Sequence, residues 1–161
     1  MNKRILSPIL ILVMLFSLVG CGDGGYSHAE LHIGLPENFE EIENENFDKT
    51  YTDGTSVVAI LRLSFVACYN EGIPETMTPY EFGDFWLKKC GRVAYMQSEG
   101  EVSYATYYDG IGADEHFYLE AFYRSHYAYF VVLFATNAER AEEAFDEFLV
   151  YADSVYFENK K

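Results

Sequence analysis

Histidine, carboxylate and tyrosine are the residue types here whose spacing invites chemistry. His28-Ala29-Glu30-Leu31-His32 sets two imidazoles four apart around a carboxylate. On a helix that spacing gathers both rings on one face, as a zinc site requires. His32, however, falls in an alternating strand pattern, where residues i and i+4 stand about 13 Å apart, and the order is not the His-Glu-x-x-His of zinc proteases. His116 and His126 flank a predicted hairpin in which they could approach each other, without a third ligand. The run Asp109-Gly110-Ile111-Gly112-Ala113-Asp114-Glu115 offers oxygens to a cation, but lacks the ligand spacing of a calcium loop and reads as a turn. Glu37, Glu40, Glu41, Glu43, Glu45 and Asp48 read as one solvated acidic edge. No metal site and no cofactor is expected.

Tyrosine is the most unusual feature of the composition, 14 residues in 161. Tyr95, Tyr104, Tyr107, Tyr108, Tyr118, Tyr123, Tyr127 and Tyr129 crowd the second half of the chain. Rings on a sheet face can stack on sugars or peptides while their hydroxyls reach polar groups, which makes Tyr104, Tyr118, Tyr127 and Tyr129 candidate ligand-binding residues. Tyrosine also simply suits half-buried strands. Nucleophilic catalysis finds no motif: there is no Gly-x-Ser-x-Gly, no Ser-x-x-Lys and no glycine-rich phosphate loop. No catalytic residue is expected, although so many carboxylates leave room for an unassigned acid pair.

The elements that must position these residues follow from periodicity. Leu31 to Leu35 alternates as a strand stopped by Pro36, and Phe39–Ile42 and Phe47–Tyr51 are short strand candidates, the second turning at Asp53-Gly54. Ser56 to Cys68 reads as one long strand, apolar on both parities and so covered on both faces. Thr78-Pro79-Tyr80-Glu81 is a capping box with proline at the first helical position, opening a helix that carries Phe82, Phe85 and Trp86 and stops at Gly91. Four strand candidates form a meander: Val93–Gln97, Val102–Tyr108, His116–Arg124 and Tyr127–Thr136. A final helix begins near Thr136 or Asn137 with the stripe Ala141, Ala144, Phe145, Phe148, Tyr151 and Ala152, and Ser154–Phe157 closes as a short strand. The fold class expected is α+β, an antiparallel sheet of six to seven strands with helices packed on its faces. With Cys68 ending a strand and Cys90 ending the helix that returns over it, the two thiols are expected at opposite ends of the layer, buried separately rather than paired.

Met1 to Gly20 supplies the address. Lys3 and Arg4 precede a run from Ile5 to Val19 that is apolar except for Ser7, Pro8 and Ser17, too short as a helix for the ~30 Å hydrocarbon core. It reads as a cleaved export signal. Its end, Leu18-Val19-Gly20-Cys21, resembles the lipobox of bacterial lipoproteins. That resemblance implies cleavage before Cys21 and a diacylglycerol on its sulfur, with residues 1–20 as signal, 21–28 as lipid-bearing tether and 29–158 as one domain. Two of the eleven basic residues lie in the signal, so the rest of the chain is more acidic still than the full chain's formal −15. Such a charge argues against nucleic acid as a partner and against direct adhesion to anionic lipid, since both attract positive charge.

The order of strand hairpin, long strand, helix, meander and helix resembles the PsbP-like α/β sandwich domains. The residues that carry this are Leu35-Pro36-Glu37-Asn38-Phe39, Thr78-Pro79-Tyr80-Glu81, and Tyr127-Ala128-Tyr129-Phe130-Val131-Val132 running into the helix at 138–152. The resemblance implies a binding or assembly scaffold. The expected function is therefore a lipid-anchored, extracytoplasmic, non-enzymatic binding or accessory module at a bacterial membrane, with a protein or carbohydrate partner at the cell surface. A small envelope hydrolase using unassigned carboxylates, or a structural subunit of a surface complex, are the alternatives.

Overall fold

The computed structural model describes residues 29–159; the signal segment, the Cys21 lipidation site, the tether and His28 lie outside them. The fold is organised around β8 (Ala128–Asn137), which is apolar on both parities and buried along all but its last residue. It is flanked by β4 (Ser56–Ser64) and β7 (His116–Arg124), antiparallel to both, with Val58 opposite Phe134 and Phe122 opposite Val131. The sheet is completed by β2 (Glu40–Glu41) and β3 (Lys49–Thr52) on one side and by β6 (Val102–Asp109) and β5 (Gln97–Glu99) on the other. Its order is β2-β3-β4-β8-β7-β6-β5. A separate two-stranded ribbon joins β1 (Ala29–His32) to β9 (Tyr156–Asn159), pairing Leu31 with Phe157. This is the α+β architecture the periodicity predicts.

Period-two alternation sorts the core into layers. Val58, Ile60, Leu119, Phe130, Val132 and Phe134 face α3 (Ala141–Asp153) and the β1–β9 ribbon, with Phe148 stacked against Phe134 at 5.2 Å. Leu63, Ala105, Phe122, Tyr129 and Val131 face α2 (Pro79–Lys89). Helix α2 begins as its sequence demands: the Glu81 N–H donates to Thr78 Oγ1 and the Thr78 N–H donates to Glu81 Oε2, with Pro79 at the first position. It ends in a Schellman motif, Arg92 N–H to Leu87 O at 2.9 Å and Gly91 N–H to Lys88 O at 3.1 Å, with Gly91 at φ +67°.

Four expectations are corrected. The strand expected over 56–68 stops at Ser64, because the Ser64 side chain accepts from the Ala67 N–H and caps a short helix, α1 (Phe65–Asn70). The strand expected at 93–97 is only Gln97–Glu99. The residues before it lie over the sheet face instead, with Arg92 on the Tyr107 ring and Met96 against Gly83. The last helix starts at Ala141, after a 3₁₀ turn (Ala138–Arg140) capped by the Asn137 side chain on Glu139 N–H. His116 and His126 do not approach each other: nine residues of β7 begin at His116 and end before His126, about 30 Å of extended chain.

Candidate functional site

Helix α2 covers only half of its face of the sheet. On the other half Tyr107, Tyr118, Leu133, Ala135 and Ala59 are packed against Phe47 and Ala94, with Arg92 over the Tyr107 ring. Polar groups converge there. The pleat of β7 points His116, Tyr118, Glu120 and Phe122 to this side, and Glu120 lies opposite the small Ala105, which leaves room for its side chain. Glu120 is fully buried, at 0% exposure. The Tyr107 hydroxyl donates to its Oε1 at 2.7 Å, and the Trp86 indole N–H faces the same carboxylate as a second donor.

The Schellman turn determines where Arg92 goes. Its guanidinium sits 4.6 Å over the Tyr107 ring and reaches Asp109 Oδ2 at 3.6 Å through Nη1. The Tyr107 and Tyr118 rings stack at 5.1 Å. The Tyr118 hydroxyl and Arg92 Nε are buried in this cluster without a hydrogen bond. His116 closes the far end, its Nδ1 at 2.8 Å from Asp114 O.

The electrostatics run against a thiol or phenol nucleophile. Burial raises the Glu120 carboxyl above the usual carboxylate range, while Arg92, Tyr107 and Trp86 pull it back only in part. Burial also lifts Tyr107 well above the normal phenol range, with Glu120 adding to it, and pushes Tyr118 up to about 12. Cys90 is pushed up to about 12 by burial and then Glu120, and Cys68 to about 11 by burial. A nucleophilic thiol or a phenolate base requires the opposite direction. Cys68 and Cys90 are free, Cys68 buried with its Sγ 3.7 Å from Leu63 O. They do not stand at opposite ends of the layer: Cys68 lies in α1 rather than a strand, and Glu71, just after α1, meets Lys89, next to Cys90, at 2.8 Å.

The sequence-derived candidates disperse. Tyr104 is buried against Phe145 in the α3 layer, and Tyr118 lies in the polar cluster. Tyr129 stacks on Phe82 at 4.2 Å, and its hydroxyl donates to Pro74 O at 2.6 Å, pinning the loop before α2. Burial takes these three away from any surface platform; Tyr127 alone of the four is exposed. His32 stacks on Tyr156 and lies 3.2 Å from Glu158. The acidic edge forms an open groove of about 580 Å³ lined by Glu41, Glu43, Glu45, Phe47 and Asp48 among others. Asp48 is engaged there by the Arg62 N–H at 2.6 Å, and no cluster suited to a metal ion occurs among the described residues. The sequence reading missed Glu120, Arg92 and Trp86. Glu120 had a signal: it is the lone charge inside Phe117-Tyr118-Leu119-Glu120-Ala121-Phe122, apolar on both parities.

No protein-family model matches the chain, and no curated protein matches it. Solved structures do. A Bacteroides thetaiotaomicron protein is similar over 81% of this chain with a TM-score of 0.52 and 11% identity, and the chain spans 45% of that protein's length. The cyanobacterial PsbP (CyanoP) of Synechocystis sp. PCC 6803 is similar over 88% of this chain and 99% of its own, with a TM-score of 0.51 and 13% identity. LpqN of Mycobacterium tuberculosis, involved in cell envelope biogenesis, aligns over 83% and 86% with a TM-score of 0.46 and 8% identity. At these identities the first two likenesses show the fold: the described chain is PsbP-like in architecture.

Proposed function

We propose that the chain is a membrane-tethered accessory module that works outside the cytoplasm, held by lipid on Cys21, and that it acts by docking rather than by catalysis. The observation that carries the non-catalytic reading is the closure of the polar cluster. Acid, hydroxyls and guanidinium converge at Glu120, yet the carboxylate has no exposure, and every resolved thiol and phenol shift in and around the cluster is upward. A substrate would have to part the layers packed around Glu120, among them Trp86 and Tyr107, to reach it.

The tether reading rests on Leu18-Val19-Gly20-Cys21, with cleavage leaving Cys21 as the first residue. No helix among the described residues is long and apolar enough to cross a membrane. One acyl chain holds a protein only marginally, whereas a two-chain diacylglycerol holds it stably, at about 0.8 kcal/mol per buried CH₂. Fractionation of bacteria expressing the full chain and a Cys21→Ala variant tests this. The full chain is expected in the membrane fraction and the variant in the soluble extract; equal membrane partitioning of the two would refute the tether.

A further inference from the structure

We propose that the corner formed by α1 and the β7–β8 turn is a lipid-facing surface, through which Val66, Tyr69 and Tyr127 seat the domain on the headgroup layer of the membrane that carries its anchor. This inference rests on the tether reading above. Val66 and Tyr69 are three apart on α1, hence on one side of it, and are 74% and 82% exposed. Tyr127 is 46% exposed and adjacent, because the Phe65 N–H donates to Tyr127 O at 3.0 Å. The patch is firmly backed: the Phe65 ring packs edge-on against buried Tyr129 at 5.1 Å, under the Arg124 guanidinium at 5.3 Å.

Chemistry and reach both favour lipid as the occupant. An aliphatic side chain beside tyrosines, apolar in body and polar at the tip, suits the interfacial layer of a bilayer. The corner also escapes the acidity of the chain as a whole. Its Glu71 is paired with Lys89 at 2.8 Å, and Arg124, bonded to the backbone carbonyl of Glu75 at 3.0 Å, brings a second cation to the corner. Cys21 lies eight residues before Ala29, about 28 Å at full extension. Glu30 is fixed to Lys49 at 2.8 Å, and Lys49 pairs with Ile60 on the strand that leads into α1. Only about 16 Å of strand separates that level from Phe65, so the corner can meet the surface without straining the tether.

The test uses the full acylated chain carrying Tyr69→Cys, labelled with an environment-sensitive fluorophore and incorporated in phosphatidylcholine vesicles that contain nitroxide-bearing lipid. Position 69 is exposed enough to tolerate the change, and the raised Cys68 and Cys90 thiols are poor competitors for label. An Ile111→Cys chain, labelled at the exposed turn before β7, is the control. The expected result is a blue shift and nitroxide quenching at position 69 and neither at 111. Acyl mass on Cys21 with an aqueous, unquenched label at 69 overturns this inference and leaves the tether standing. A blue shift without quenching assigns the patch to a protein contact and overturns it too. Absence of the acyl mass overturns both.

Discussion

At the scale of single residues, Glu120 is a fully buried acid whose protonation the fold constrains. Burial raises its carboxyl above the ordinary value of 4.5, so the folded chain keeps a proton that the unfolded chain releases. Stability therefore falls as pH rises from about 4.5 toward the folded pKa, and this contribution is constant below that window. Glu120→Gln has no proton to lose. Denaturant midpoints measured from about pH 4 to about pH 8 are expected to fall less with pH for the variant than for the parent, and an equal slope would remove Glu120 as the buried acid. The thiols give a second check. With Cys68 at about 11 and Cys90 at about 12, a Cys21→Ala chain is expected to react slowly with a thiol reagent near neutral pH and rapidly once unfolded. A fast-reacting thiol in the folded chain would contradict the burial assigned to it.

At the scale of elements, α2 shows how packing overrides propensity. Gly83 in a helix interior is ordinarily worth replacing, since alanine gains about 1 kcal/mol there. A Cβ at Gly83, however, would lie 2.7 Å from the Phe122 ring and 2.6 Å from the Met96 methyl. Met96 can swing away, but the Phe122 ring is buried between Phe82 and the sheet. Gly83→Ala is expected to destabilise by about 1–3 kcal/mol, read as a lowered denaturant midpoint, and a stabilised variant would show that α2 sits further from the sheet. The same helix was legible in the sequence because Thr78, Pro79, Glu81 and Gly91 each act locally, within a turn of where they stand. Strand β8 was legible from apolar residues on both parities. Helix α1 was not, since Phe65, Val66 and Cys68 continue the apolar run of β4 and only the Ser64 hydroxyl marks the break. The polar cluster was hidden for a different reason. It joins Trp86, Arg92, Tyr107 and Glu120 from α2, its exit turn, β6 and β7, and no local spacing encodes that meeting.

At the scale of the whole molecule, a seven-stranded sheet covered on one face by α3 and the terminal ribbon, and on half of the other by α2, encloses its polar cluster. What such a body offers its surroundings is surface, and its acidic charge keeps most of that surface in water. How the chain is held therefore decides where that surface acts. The most direct measurement is the intact mass and N-terminus of the chain recovered from the membranes of bacteria expressing it. The expected chain begins at Cys21 and carries the added mass of a diacylglycerol. A chain beginning elsewhere, or one beginning at Cys21 without that mass, would contradict the tether.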